Sequence, residues 1–579
     1  MKQRSFFSIL AGVVLTLLAV GAGGFYWLLG QSPLGVAGQQ GTPTAAIFVP
    51  KQAPIVASLL INPDQLAAFR QIATPPAGRR QARMEWQHLQ QGLLAGTDLN
   101  YERDVQPWVG NELTVAVTTA DIDRDGQNGR QPGYLLAIAT KDADRSREFL
   151  QVFWQKQALA GVDLVFEQYK GVKLIYGNSP DASQSDKRQE KGKPSGEDIA
   201  PGLSLASAAV GNQFVLFANH PRVLRDAINN VQAEELALAS SPTYQTAIAN
   251  LTENRIGLVY VNLPHWSDWL GGSSRTNLTN TLPPTYESLA IAPGIAPGGL
   301  RAETLLLTAP GQSLMAYSSP LAKPVQALQY IPADSLLAAG GTNLNHLWQQ
   351  VSQSLTGYPS LASRINRSLT GLQQLQPLDL PTDVFSWVQG EFALGLLPHP
   401  HQSQSDWIFV AQRSADTGAA ITHLDELAQR QGFSVGSLTL GTQTVSAWTR
   451  LTTSGKQSRK QRADAGLEAQ VQGLHATIAD YEIFATSIEA MTAALQAPQA
   501  ALLTDPHFAR AANQLPQPND GYLFINWVTG QRSLEAQFPL LRLLNIAGQP
   551  FFNHLQSLTF SSSGSEAQLQ RGQVFISVK

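Results

Sequence analysis

The sequence predicts an α+β fold: an N-terminal transmembrane helix followed by two tandem, duplicated units, each with a mainly antiparallel sheet and helices packed on one face. Three observations carry this. An uncharged apolar run lies near the start, and stretches of the first half recur in the second. Short β-branched and aromatic segments follow one another, often with no helix between them, which favours antiparallel pairing over a parallel βαβ layout.

The apolar run is FFSILAGVVLTLLAVGAGGFYWLL, Phe6 to Leu29. It holds no Asp, Glu, Lys or Arg, and as a helix it is long enough to cross a bilayer core. Lys2 and Arg4 precede it, and Phe25, Tyr26 and Trp27 stand at its far end like an aromatic belt. The basic flank predicts a cytoplasmic N-terminus and a single-pass protein whose bulk is periplasmic, lumenal or extracellular. A signal peptide cleaved near Val20–Gly24 is the rival reading. The run continues past that point to Leu29, which favours an uncleaved anchor. The membrane is therefore the first expected partner. Residues 1–30 read as tip and anchor, and the Gly/Pro-marked residues 31–45 as a tether.

The duplication is collinear. AIFVPKQAPIVASLLINPDQL (Ala46–Leu66) parallels LQYIPADSLLAAGGTNLNHLW (Leu328–Trp348). DVQPWVGNE (Asp104–Glu112) parallels DVFSWVQGE (Asp383–Glu391), sharing Asp, Val, Trp, Val and Glu at identical spacing. GLVYVN (Gly257–Asn262) parallels GYLFIN (Gly521–Asn526), and RAETLLL (Arg301–Leu307) parallels RGQVFIS (Arg571–Ser577). The spacing between matching segments drifts along the chain, as loop insertions and deletions produce. The units are set at 46–310 and 325–579, joined by 311–324. Within the first, strands are predicted over Ile55–Ile61, Leu113–Thr118, Tyr134–Ala139, Gly171–Tyr176, Gln213–Ala218, Gly257–Asn262 and Ala302–Thr308. Helices are predicted over Gly78–Leu94, Ala143–Leu159 and Pro221–Val231, with Asp142 or Asp144 capping the second.

Composition narrows function by exclusion. The chain has 579 residues, 43% hydrophobic and 14% charged, with a net charge of −3. That charge gives no reason to expect nucleic acid. Cys is absent, so thiolate chemistry and Cys-ligated zinc are excluded. No G-x-S-x-G, Walker A, G-x-G-x-x-G or H-E-x-x-H pattern occurs in a setting that would give it meaning. Trp108 and Trp387 read as core anchors below a strand. Glu112 and Glu391 lack a nearby acid–base partner in sequence, so they read as structural and not catalytic.

The two copies differ in their loops. DIDRDGQNG (Asp121–Gly129) sets Asp121, Asp123 and Asp125 at alternate positions before Gly126, like the start of a calcium loop. Pro132 falls where the closing Glu belongs, so the expected affinity is weak, and a polar hairpin tip is the bland alternative. Weak calcium is the one cofactor reading. The second copy has His399 and His401 there, read as exposed. Ser179–Asp198 and Ser454–Gly466 are charged, apolar-poor insertions, the latter basic through Lys456, Arg459, Lys460 and Arg462. Leu540, Leu541, Leu543, Leu544, Ile546, Phe551 and Phe552, against Trp266 and Trp269 in the first copy, could meet a partner or pack on their own sheet.

The span, the D-V-x-x-W-V-x-x-E element, the strand pair after it and the S-P-x-Y segment (Ser241–Tyr244) together make the chain resemble the domain-of-unknown-function 3352 family, common in cyanobacteria. The resemblance covers nearly all of the chain after the anchor. It implies a membrane-tethered envelope or thylakoid protein and supplies no catalytic residues. The expected function is a non-catalytic binding or scaffolding module that meets an envelope protein or an apolar ligand. The alternative is an envelope enzyme, hydrolase-like, with a noncanonical site, in one version metal-dependent through Asp121, Asp123 and Asp125.

Overall fold

The computed structural model describes residues 41–62, 100–125, 130–177, 205–252, 255–270, 284–314, 320–354, 357–358, 379–398, 405–453, 467–531 and 554–578. The first half contributes β1 (Ile55–Leu59), β2 (Val109–Thr119), β3 (Gly133–Thr140), β4 (Leu164–Tyr169), β5 (Val172–Gly177), β6 (Ala206–Val210), β7 (Phe214–Ala218), β8 (Gly257–Asn262), β9 (Tyr286–Ala296) and β10 (Gly299–Thr308). The second contributes β11 (Leu337–Thr342), β12 (Glu391–Leu397), β13 (Asp406–Gln412), β14 (Ser434–Leu440), β15 (Gln443–Thr453), β16 (Leu467–Ile478), β17 (Tyr481–Ala485), β18 (Gly521–Asn526), β19 (Leu555–Ser565) and β20 (Leu569–Val578). Helices between them are α1 (Ala143–Leu159), α2 (Pro221–Gln232), α3 (Pro242–Asn250), α4 (Leu263–Leu270), α5 (Leu344–Ser354), α6 (Thr417–Arg430), α7 (Ile488–Gln496) and α8 (Pro506–Ala512).

All these strands join one 20-stranded sheet. From one edge its order is β4, β5, β6, β7, β3, β2, β1, β8, β9, β10, and every neighbouring pair is antiparallel. It continues through β20, β19, β18, β11, β12, β13, β17, β16, β15 to β14, again antiparallel throughout. The second ten strands follow the order of the first ten, reversed about the β10/β20 pair.

This corrects the expected fold class. Two units with sheets of their own were expected; instead β10 and β20 pair from Gly299↔Ser577 to Leu307↔Leu569 and make the sheet continuous. The physical reason is edge exposure. Each half ends on a strand whose outer N–H and C=O groups would stand unpaired, and each satisfies the other. The helices also lie on both faces and not one. On the front face, Phe149 and Leu150 of α1 pack with Trp108, Val115, Ile138 and Val215. Leu424 and Ala428 of α6 pack there with Trp448 and Phe484. On the back face, α2 and α3 bury Leu224, Ile228 and Tyr244 against Leu135, Leu216 and Tyr260. There α7 and α8 bury Met491 and Phe508 against Val410, Ile483 and Phe524.

The predicted transmembrane helix is corrected as well. Among the described residues no helix is long and apolar enough to cross a membrane. Phe6–Leu29 lies outside the described residues, and the single-pass, signal-anchored placement finds no support. The predicted helix Gly78–Leu94, His399 and His401, the two charged insertions and the Leu540–Phe552 segment also lie outside them. Where local signals were strong, elements match. α1 has its predicted bounds, and the Asp142 side chain accepts from Arg145 N at its start.

Candidate functional site

The repeated D-V-x-x-W-V-x-x-E element forms the same construction twice. Asp104 and Asp383 close a helical turn by accepting, through Oδ2, the backbone N–H of Asn100 and Asp379 at 2.9 and 2.8 Å. The indole N–H of Trp108 donates to Asp104 O at 2.9 Å, and that of Trp387 to Asp383 O at 3.1 Å. Both rings are buried. Glu112 projects to the back face and receives Thr44 N at 2.9 Å, Ala45 N at 2.8 Å, Thr114 Oγ1 at 3.1 Å and the Thr44 hydroxyl. It thereby caps the 3-10 turn Thr44–Ile47. Glu391 receives Ala327 N at 3.1 Å and the Tyr481 hydroxyl at 3.0 Å, holding the turn Gln326–Tyr330. The oxygens of both glutamates serve strand-to-turn attachment.

Asp121, Asp123 and Asp125 sit after β2. Asp121 Oδ1 accepts Gln131 N at 3.2 Å, and Asp123 Oδ1 accepts Asp125 N at 3.0 Å. Burial raises the Asp121 carboxyl above its ordinary pKa; Gln131 N opposes this, and the neighbouring Asp123 carboxyl adds to it. Among the described residues no group of three or more His, Asp or Glu is placed to hold a metal ion. Residues 126–129 of the loop lie outside the described residues. Of the aromatic pair singled out in the first copy, Trp266 packs on the front core.

The structure assembles a cluster that no motif announced. On the front face of the second half, His475 of β16 lies between two carboxylates. Its Nδ1 is 3.1 Å from Glu482 Oε1 on β17, and its Nε2 is 3.2 Å from Asp425 Oδ1 on α6. Trp448 Nε1 of β15 donates to the same Asp425 oxygen at 2.7 Å, and the Thr477 hydroxyl donates to Glu482 Oε2 at 2.7 Å. The His475 ring lies beside Phe484 and Trp448, with centroids at 5.8 and 5.9 Å. The Glu482 and His475 side chains are 3% and 8% exposed, and that of Asp425 is 26% exposed, so the cluster has one wet end.

Burial pushes the imidazole pKa down, but the hydrogen bond to Glu482 and the charges of Asp425 and Glu482 outweigh it, and the value stands above the ordinary histidine one. With both ring nitrogens facing carboxylates, the protonated ring donates twice. It then has no lone pair with which to take a proton from a substrate. The equivalent strands of the first half place Ser207 and Val215 here, and Trp154 of α1 donates to Ser207 Oγ at 2.7 Å. Residues 425, 475 and 482 are far from any motif. The available signal was a Glu inside the apolar strand YEIFA, where the first copy reads FVLFA.

The profile of a family described as "Protein of unknown function (DUF3352)" matches residues 10–578. The chain belongs to that family. The family match carries neither an organism nor a location, so the cyanobacterial origin and membrane anchoring implied by the resemblance are not supported. No curated protein matches the chain. Among solved structures, crystal form IV of TP0453 matches at a TM-score of 0.20 and 8% identity, over 46% of this chain and 80% of that one. At that score the likeness carries no argument.

Proposed function

We propose that this member of the DUF3352 family is a non-catalytic binding module whose sheet presents an apolar site on its front face at β18 and β19. The observation that carries the reading is the cross-strand pair Leu523 and Phe560, exposed by 37% and 39%. Around them the paired positions are Ala339 and Val574, and the Phe560 ring rests over Gly572. Leu558, Ile525 and Ile576 continue the same face into the buried core. An uncharged aromatic and aliphatic pair on a rigid sheet, continuous with a core, suits an apolar partner. The internal use of Glu112, Glu391 and His475 also supports binding over catalysis.

The test is binding of 8-anilino-1-naphthalenesulfonate, read by fluorescence, to the folded chain and to the Leu523→Ser/Phe560→Ser double variant. We expect saturable dye binding that the double variant loses. Equal binding by both proteins would refute this placement.

A further inference from the structure

We propose that Asp425, His475 and Glu482 form a pH-sensitive latch that holds helix α6 to the sheet and releases it as the imidazole loses its proton. The geometry carries this. Helix α6 buries only Thr417, Leu424 and Ala428 among its 14 residues, the last two in a small apolar cluster with Val384, Phe433 and Trp448. Its polar tie to the sheet is Asp425, which reaches both His475 Nε2 and Trp448 Nε1 through one oxygen. A protonated ring donates to Glu482 and to Asp425. A neutral ring keeps one N–H, and its other nitrogen then turns a lone pair toward a carboxylate about 3 Å away. Glu482 is the more buried partner and is held by Thr477, whereas Asp425 has a side exposed to water. The neutral ring therefore keeps Glu482, and Asp425 swings outward with α6.

The charged surroundings are simple. Helix α6 supplies Asp425 and β17 supplies Glu482, while β15 offers the neutral Trp448 and Phe484 closes one side of the ring. Asp383, on the turn beside α6, lies 3.4 Å from His423 Nε2. The direction follows from linkage. A histidine raised in the folded state contributes stability that is complete below its ordinary pKa and is lost as pH rises through the folded one. The first half is an internal control. Its helix α1 is tied by Trp154 to Ser207, a bond without a titrating group.

The experiment is hydrogen exchange of the full chain, corrected for intrinsic rates, from pH 6 to 9, comparing peptides within 417–430 and 143–159. We expect α6 protection to fall as pH rises through the raised histidine pKa, by at most about tenfold for each pH unit, while α1 protection stays level. In Asp425→Asn, which retains an acceptor for Trp448, the α6-specific pH dependence should flatten. Parallel behaviour of α6 and α1 in the unaltered protein overturns the proposal, and that comparison needs no variant to fold. Persistence of the α6-specific loss in a folded Asp425→Asn protein overturns it equally.

Discussion

Replacing Glu112 with Ala tests whether the repeated motif is structural. Glu112 is 8% exposed and takes the N–H groups of Thr44 and Ala45 together with two threonine hydroxyls. Ala45 is fully buried, so its N–H loses its partner with no water to replace it, a cost of about 1–3 kcal/mol. Thr44 is exposed and can be rehydrated, so its N–H and hydroxyl add less. The sum is about 2–4 kcal/mol for Glu112→Ala. Glu391 holds one backbone N–H, that of the fully buried Ala327, and the Tyr481 hydroxyl, so Glu391→Ala should cost about 1–3 kcal/mol. Urea denaturation gives the ranking. Hydrogen exchange over residues 44–49 and 325–331 shows whether each loss is centred on its own capped turn. A cost below about 0.5 kcal/mol for Glu112→Ala, or a larger cost for Glu391→Ala, would refute the capping argument.

Two further outcomes are expected. Gly299 opens β10 at φ +158°, and a Cβ there would stand 1.8 Å from Ile576 O on β20. Gly299→Ala should therefore destabilise the junction of the halves by about 2–4 kcal/mol, seen as faster proteolysis between them, and an unchanged melting temperature would contradict this. At DIDRDGQNG, calorimetric calcium titration should give the same heats for the unaltered protein and for Asp123→Ala, because among the described residues no three carboxylates are placed to hold a metal ion and the closing bidentate ligand is missing. About millimolar binding that is lost in Asp123→Ala would contradict this and restore the calcium reading.

What the sequence by itself determined is local or repeated. Ala143–Leu159 was legible as a helix because its cap and its turn signals lie within the segment. The recurrence of Asp, Val, Trp, Val and Glu marked a construction used twice, since a buried indole and a capping carboxylate need only fixed spacing along one stretch of chain. The tertiary structure alone decided the rest. Nothing local to Arg301–Leu307 or Arg571–Ser577 says that these strands pair with each other, because each strand is satisfied by any edge with matching register. Helices came to lie on both faces because strands such as β3 and β7 bury alternate residues on each side. His475, Asp425 and Glu482 meet for the same reason: a strand, a helix and another strand converge only once the sheet exists. Hydrogen bonding and burial then turn three scattered residues into a single connected cluster.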